Sequence, residues 1–280
     1  MRYARWLLVL FLSLAVWAQG PFFGGLPPKT KEKITQVAYF AYTVGYSERT
    51  RTPLWSAYFV ETKDPPVPPH VVSRKGYPFL TEPRTEARVT SKDYNRSGFS
   101  RGHMTPFAAI AYAFGASVPG EVTQPGETGT NPAKQTFYLT NIVPQLQEHN
   151  AGIWSNLEEA ISGVRTGHDF QPGLTQHSAR IWVYTGPVFS RKGPVKTISA
   201  KGIQVPVALW KAAIWITPKG ETRACAWIIP HEVNLDPHAF MDYATTLAEI
   251  RRQAQVTIIA EDAEGLMKRC DSKDIEEIIQ

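Results

Sequence analysis

Six apolar, aromatic and β-branched runs of strand length constrain this chain more than any other feature. They are Val37–Tyr46, Leu54–Glu61, Thr136–Val143, Ile181–Phe189, Val205–Ile216 and Ala224–Ile229, a spacing and composition that read as strands. The runs do not alternate strictly with helix-period segments. A doubly wound parallel sheet is therefore disfavoured, and an α+β layout is expected, with a central, largely antiparallel sheet flanked by helices. One helix is expected from Ala151 to Ile161, where Ile153, Trp154, Leu157 and Ile161 recur at helical spacing. A second opens at Asp236-Pro237, an N-cap residue followed by Pro at the first helical position, and continues through Phe240, Tyr243, Leu247 and Ile250.

The N-terminus reads as an export signal. Arg2 and Arg5 precede an apolar run from Trp6 to Trp17, and Val16 and Ala18 occupy the −3 and −1 places of a signal-peptidase site. The run is shorter than the ~20 residues that span a bilayer, so cleavage before Gln19 is expected, with an uncleaved anchor as the lesser alternative. Residues 1–18 are then a signal peptide, the Gly-, Pro- and Lys-rich 19–33 a linker, 34–262 one domain and 263–280 a C-terminal tail. A secreted or periplasmic location follows, with no membrane association after cleavage. An oxidising compartment would let Cys225 and Cys270, the two cysteines of the chain, pair. That bridge would stabilise by roughly 3 to 4 kcal/mol in the chain-entropy picture, and two reduced thiols are the alternative. With 30 Lys and Arg against 25 Asp and Glu, the net charge of +5 permits an anionic partner without demanding one.

Chemistry concentrates in two segments. In the first, Gly98-Phe99-Ser100-Arg101-Gly102 fits the G-x-S-x-G elbow of serine hydrolases, yet that elbow needs a buried strand before the serine and a helix after it. The preceding SKDYNRS (91–97) contains no apolar run. The same segment offers Arg101 and His103 two residues apart, which on an extended stretch point to one face. A histidine there can take a proton from water while the arginine holds a phosphate oxygen.

The second segment is Leu139-Thr140-Asn141-Ile142-Val143-Pro144-Gln145, followed by Asn150, Trp154, Leu157 and Glu158. If Asn150 opens the expected helix, Glu158 lies roughly 12 Å further along its axis. A neutral Asn oxygen can ligate a hard cation that keeps most of its water, and Glu158 would then accept hydrogen bonds from the metal-bound waters. A plain N-cap and a solvated helix residue are the alternatives for these two positions.

Together the segments resemble the DNA/RNA non-specific endonuclease family, endonuclease G-like proteins of the ββα-metal (His-Me finger) superfamily. YSERTRTPLWSAY (46–58) is similar to the family's early strand pair, Tyr94–Pro106 to its Asp-Arg-Gly-His signature, and Leu139–Glu158 to its Asn-x-x-Pro-Gln, Asn and Trp-x-x-Leu-Glu block. Thr185–Phe189, Val205-Pro206 with Trp210-Lys211, and the stretch Tyr243–Arg251 match in the same order. The resemblance implies a sugar-non-specific nuclease that cleaves DNA and RNA, leaves 5′-phosphates and ignores sequence, with an inhibitor protein as a possible partner; together with the export signal it gives a secreted nuclease. His103 would be the general base and Asn150 the sole direct protein ligand of a water-rich Mg²⁺, for which Mn²⁺ can substitute. Glu158 would orient the outer shell and Arg101 stabilise the phosphate side.

Two departures bear on that expectation. Ser100 stands where the family signature has Asp and brings no charge, so a nucleic-acid-binding relative with impaired catalysis is the alternative reading. A further family arginine finds its nearest candidate in Arg74, across the Pro-rich 65–69 segment. His231-Glu232 lacks a second His at +4 and so fails the H-E-x-x-H zinc pattern. His149, beside Asn150, is expected to touch the site.

Overall fold

The computed structural model describes residues 20–61, 74–114, 131–164 and 180–260, together with the backbone of 268–269. The expected signal peptide lies outside them. In chain order the strands are β1 (Lys29–Thr30), β2 (Thr35–Ala38), β3 (Tyr42–Ser47), β4 (Thr52–Glu61), β5 (Ser100–His103), β6 (Ile142–Gln145) and β7 (Arg180–Val188). There follow β8 (Thr197–Ile198), β9 (Ile203–Gln204), β10 (Ala208–Ile216), β11 (Thr222–Pro230), β12 (Ala244–Thr245), β13 (Val256–Thr257) and β14 (Lys268–Arg269). The α-helices are α1 (Phe107–Phe114), α2 (Pro132–Gln135), α3 (Gln147–Ala151), α4 (Ile153–Ser162) and α5 (Leu247–Ala254).

Eight strands form the central sheet in the order β12-β11-β10-β7-β4-β3-β2, with β14 pairing β11. The β11/β14 pair is parallel and the other pairs are antiparallel, so the α+β fold with a largely antiparallel sheet is the one observed. The central strands are apolar on both sides because both faces are covered, as continuous rather than alternating hydrophobic runs require. Period-2 alternation still sorts their side chains. On β7, Ile181 and Val183 join the core beneath α4, with Trp154 and Leu157, while Trp182 and Tyr184 join the opposite core with Leu247 and Ile250 of α5. On β10, Leu209 and Ala213 face α4, and Trp210 and Ala212 face α5. Lys211 shares the α4 side by the same alternation.

Four expectations change. Thr136–Val143 is not one strand: a 3₁₀ turn at Leu139–Asn141 precedes β6. The cause is the buried Asn141, whose Nδ2 donates to the carbonyls of Thr105 (2.9 Å) and Thr136 (3.0 Å) while its Oδ1 accepts from Thr105 N (2.9 Å), a local bonding scheme that competes with a sheet ladder. The helix expected over 151–161 is present as α4, but it starts at Ile153, because Gly152 (φ −100°, ψ −112°) breaks the chain between it and the short α3. Asn150 thus sits in the last turn of α3 rather than opening the longer helix.

Asp236-Pro237 begins a turn, with Asp236 Oδ1 accepting from His238 N (2.9 Å), then a 3₁₀ segment Ala239–Tyr243. The true α5 starts later, capped by Thr246 Oγ1 on Glu249 N (3.0 Å). Finally, the segment expected as a linker packs on the domain: β1 pairs β13, and Phe22 and Phe23 stack edge-on against Trp55 and Trp182. Within the expected tail, 268–269 adds to the sheet. Among the described residues no helix is long and apolar enough to cross a membrane.

Candidate functional site

Away from the main sheet, β5 pairs antiparallel with β6, placing Arg101 opposite Pro144 and His103 opposite Ile142. The glycine between them is dictated by packing. A Cβ on Gly102 would come 1.9 Å from Gln145 Oε1, so only glycine lets the Gln145 side chain lie across the strand pair. Asn141 fixes the end of β5 by binding both backbone groups of Thr105, and Met104 N donates to Asn141 O (2.9 Å).

This arrangement sets His103 into the wall of a cavity of about 260 Å³ whose lining includes Arg74, Gln147, Asn150, Ser155 and Glu158. The His103 ring is 8% exposed and packs edge-on against Phe137 (5.0 Å) and tilted on Phe79 (5.6 Å). Its Nε2 is sealed without a hydrogen-bond partner. Burial, with the Arg74 guanidinium second, holds its pKa down at about 3, so the ring is neutral at physiological pH.

Glu158 arrives from α4, two turns past the Gly152 break. Its Oε1 lies 3.3 Å from Lys211 Nζ, which is itself 0% exposed. Burial pushes the Glu158 carboxyl up and the Lys211 amine down, and each group opposes the shift of the other. The Lys211 ammonium also sits 4.5 Å from the Trp154 ring centroid.

The structure thus brings Arg74, His103, Asn150 and Glu158 to one cavity. Arg101 stays out of its lining. The guanidinium donates to Ser91 O (2.7 Å) and Asn95 Oδ1 (3.2 Å) and lies over the rings of Phe79 and Tyr94. Ser100 does not form a nucleophile elbow, since it is the first residue of a strand, and its hydroxyl donates to Gln147 Oε1. The serine-hydrolase alternative is therefore removed.

Two residues had no role assigned from sequence. Lys211 carried a readable signal, a lone charge inside the apolar run Val205–Ile216. His231 carried none: its Nδ1 donates to Pro206 O (2.8 Å) and its Nε2 accepts from Leu146 N (2.7 Å), 85 residues away, at the start of α3. Beside it lies His149, which was expected to touch the site but stays out of the cavity lining: 1% exposed, it takes a hydrogen bond from Gln145 Nε2 (2.8 Å), and the two imidazoles meet edge-on at 5.4 Å.

The chain is similar to known nucleases. The chain is 25% identical over 248 residues to mitochondrial nuclease EXOG of Xenopus laevis, covering 83% of this chain and 61% of that protein. It is 27% identical over 201 residues to mitochondrial endonuclease G of Homo sapiens, covering 68% and 58%. With nuclease C1 of Cunninghamella echinulata var. echinulata it shares 27% over 232 residues, covering 78% and 79%. The chain therefore spans about three fifths of the length of the EXOG and endonuclease G relatives. The solved EndoG/EndoGI complex superposes with a TM-score of 0.66 over 90% of this chain and 94% of that one at 20% identity, a likeness of fold. EXOG and endonuclease G are mitochondrial by name, which overturns the expectation of a secreted or periplasmic location. The family described as DNA/RNA non-specific endonuclease matches residues 26–262, and the chain belongs to it.

Proposed function

We propose that this chain is a metal-dependent endonuclease that hydrolyses phosphodiester bonds of DNA and RNA without sequence preference, leaving 5′-phosphates. The observation that carries the reading is the single cavity shared by a buried neutral imidazole, an amide, a carboxylate and an arginine. In this reading His103 is the general base. Because its Nε2 is sealed, Nδ1 is the nitrogen assigned to the attacking water. An imidazole kept neutral by burial keeps an unprotonated ring nitrogen facing the water across the whole physiological range. Arg74, exposed at the rim, holds a non-bridging phosphate oxygen, while Arg101 adds positive field from behind Phe79. Contacts of this kind address the backbone rather than the bases, which is why sequence goes unread.

The oxygen donors at the cavity fit a hard divalent cation. Asn150 would hold Mg²⁺, with Mn²⁺ able to substitute, and Glu158 would accept from waters on the ion. Among the described residues no group of three or more His, Cys, Asp or Glu is placed to hold a metal, and a cation bound mostly by water does not need one. When bound, such an ion supplies charge for the phosphorane and a water to protonate the leaving oxygen.

An inhibitor protein is proposed as a partner, by analogy with the EndoG/EndoGI complex. A Cys225–Cys270 bridge is proposed as well. Cys225 is buried on β11 and has no free thiol, and Cys270 lies outside the described residues.

The test is digestion of supercoiled plasmid and of total RNA by the purified protein with Mg²⁺ or with EDTA, alongside His103→Ala. Loss of both substrates that needs metal and disappears in the variant is the expected result. Retarded but uncut DNA with the unaltered protein would instead favour the binding relative that Ser100 raised as an alternative.

A further inference from the structure

We propose that Lys211 is a positioning residue whose buried ammonium holds Glu158 as a fixed carboxylate on the cavity wall. The proposal rests on the nuclease reading for its purpose, though not for its geometry. Lys211 lies on β10, between β7 and β11 in the middle of the sheet, opposite Thr185 on one side and Trp227 on the other. Its neighbours on the same face, Leu209 and Ala213, belong to the apolar core under α4. Packing does not call for a lysine in that layer, and an unpaired ammonium there would carry a heavy desolvation cost.

What meets it is Glu158 Oε1 at 3.3 Å and the face of Trp154 at 4.5 Å, with the Tyr58 ring at 6.0 Å. The titratable and charged groups around the pair are Tyr58 from β4 and, across the cavity, His103 and Arg74. The charge that meets Glu158 directly is the Lys211 ammonium.

Stability does not explain the pair, because a well-packed apolar pair of similar volume is often as stable or more so. A charge requirement at the cavity does. Glu158 is carried on α4, whose buried face is apolar, and burial alone favours its neutral acid. A neutral acid offers a proton where the proposed water shell needs an acceptor. Lys211 removes that outcome from the side the cavity does not use, so substrate and cation reach Glu158 without competing with it.

The experiment compares Lys211→Met, Glu158→Gln and the double variant Lys211→Met/Glu158→Gln in the full-length protein. The first readout is independent of activity: a ¹³C NMR titration of the Glu158 carboxyl in metal-free protein, assigned by its absence in Glu158→Gln. Lys211→Met is expected to move that titration upward by at least one pH unit. The second readout is the pH profile of plasmid cleavage at saturating Mg²⁺. In Lys211→Met the acid limb should move up by the same interval, with at least tenfold less cleavage at pH 7 and partial recovery at pH 9. The double variant should be no less active than Glu158→Gln.

An unmoved Glu158 titration, or a double variant clearly worse than Glu158→Gln, would overturn the proposal. If Lys211→Met does not fold, the double variant, which removes both charges, keeps the comparison with Glu158→Gln alive. If the unaltered protein cuts nothing, the nuclease reading fails while a shifted titration still establishes what Lys211 does to Glu158.

Discussion

Behind α4, Glu158 of the cavity lining meets Lys211 as an ion pair inside the protein, whereas behind α3, out of the cavity lining, His149 and His231 meet as two uncharged rings. Both walls contain buried basic side chains, and they solve the cost of burial in opposite ways. Lys211 is given a counter-charge. The histidines are given hydrogen bonds that suit the neutral ring: Leu146 N–H can only donate, so His231 Nε2 must be unprotonated, and its Nδ1–H goes to Pro206 O. Burial holds His149 at about 3 and His231 below its ordinary value. The comparison teaches that the charged wall can set the electrostatics of the cavity, while the neutral wall can hold α3, and with it Asn150, without adding charge beside a cation site.

The largest way to break this contrast is to strip one partner from the charged wall. Lys211→Met leaves a buried carboxylate alone and should cost about 3 to 5 kcal/mol of stability, read by urea unfolding at pH 7. Lys211→Met/Glu158→Leu, apolar on both sides, should recover most of it. Equal losses in the single and double variants would show that Lys211 matters through packing of its stem rather than through charge.

Acid distinguishes the walls by sign. His103 and His149 have folded pKa values of about 3 against an ordinary 6.5, so between those limits the unfolded chain binds protons that the folded one refuses. Stability should therefore be level above about pH 6.5 and fall below it by up to about 1.4 kcal/mol per pH unit for each such ring. Glu158 acts the other way, since its raised carboxyl pKa favours the folded state as it protonates. Urea unfolding of the unaltered protein and of His149→Leu at pH 7, 6 and 5 checks this. The variant should lose one ring's share of the slope, and an unchanged slope would remove His149 from the account.

How much of this was legible in the sequence follows from the range of each interaction. Strand runs and the antiparallel sheet were legible because burial on both faces writes itself into consecutive residues, as in β7 and β10. His103, Asn150 and Glu158 were picked out by the motifs around them and the family resemblance those carry, and the structure brings the three to one cavity. The boundaries were not legible. Asn141 turns an apolar run into a 3₁₀ segment through bonds to Thr105 and Thr136, and Gly152 separates the polar turn that carries Asn150 from the helix whose apolar period begins at Ile153. The neutral wall was invisible because its bonds join Leu146 and His231, far apart in sequence, and because a search for zinc spacing asks the wrong question of a histidine that serves as an acceptor.

A smaller test addresses the neutral wall directly. His231→Phe keeps the ring and removes the acceptor for Leu146 N–H, so α3 should lose about 1 to 2 kcal/mol of anchoring, the cost of a buried donor left unsatisfied. The expected signature in the nuclease assay is a rise in the Mg²⁺ concentration needed for half-maximal cleavage, with the pH profile of His103 unmoved. A shifted pH profile at unchanged Mg²⁺ dependence would mean that His231 works through His103 and that the two walls are not separate.

The smallest expected effect falls where the walls meet, at Ser100. Its hydroxyl donates to Gln147 Oε1 at the exposed first residue of α3, so Ser100→Ala removes one bond that water can replace and should cost under about 1 kcal/mol. Ser100→Asp is the sharper variant. An aspartate cannot donate, and the Gln147 amide must turn to present its NH₂ instead, which it can do at the rim of an open cavity. Cleavage within about tenfold of the unaltered protein is then expected, because the charge needed at the site already comes from Glu158 and is secured by Lys211. A gain of a hundredfold or more would show the opposite, that the chain lost catalytic power with the family's aspartate and that the Glu158–Lys211 wall does not make up the difference.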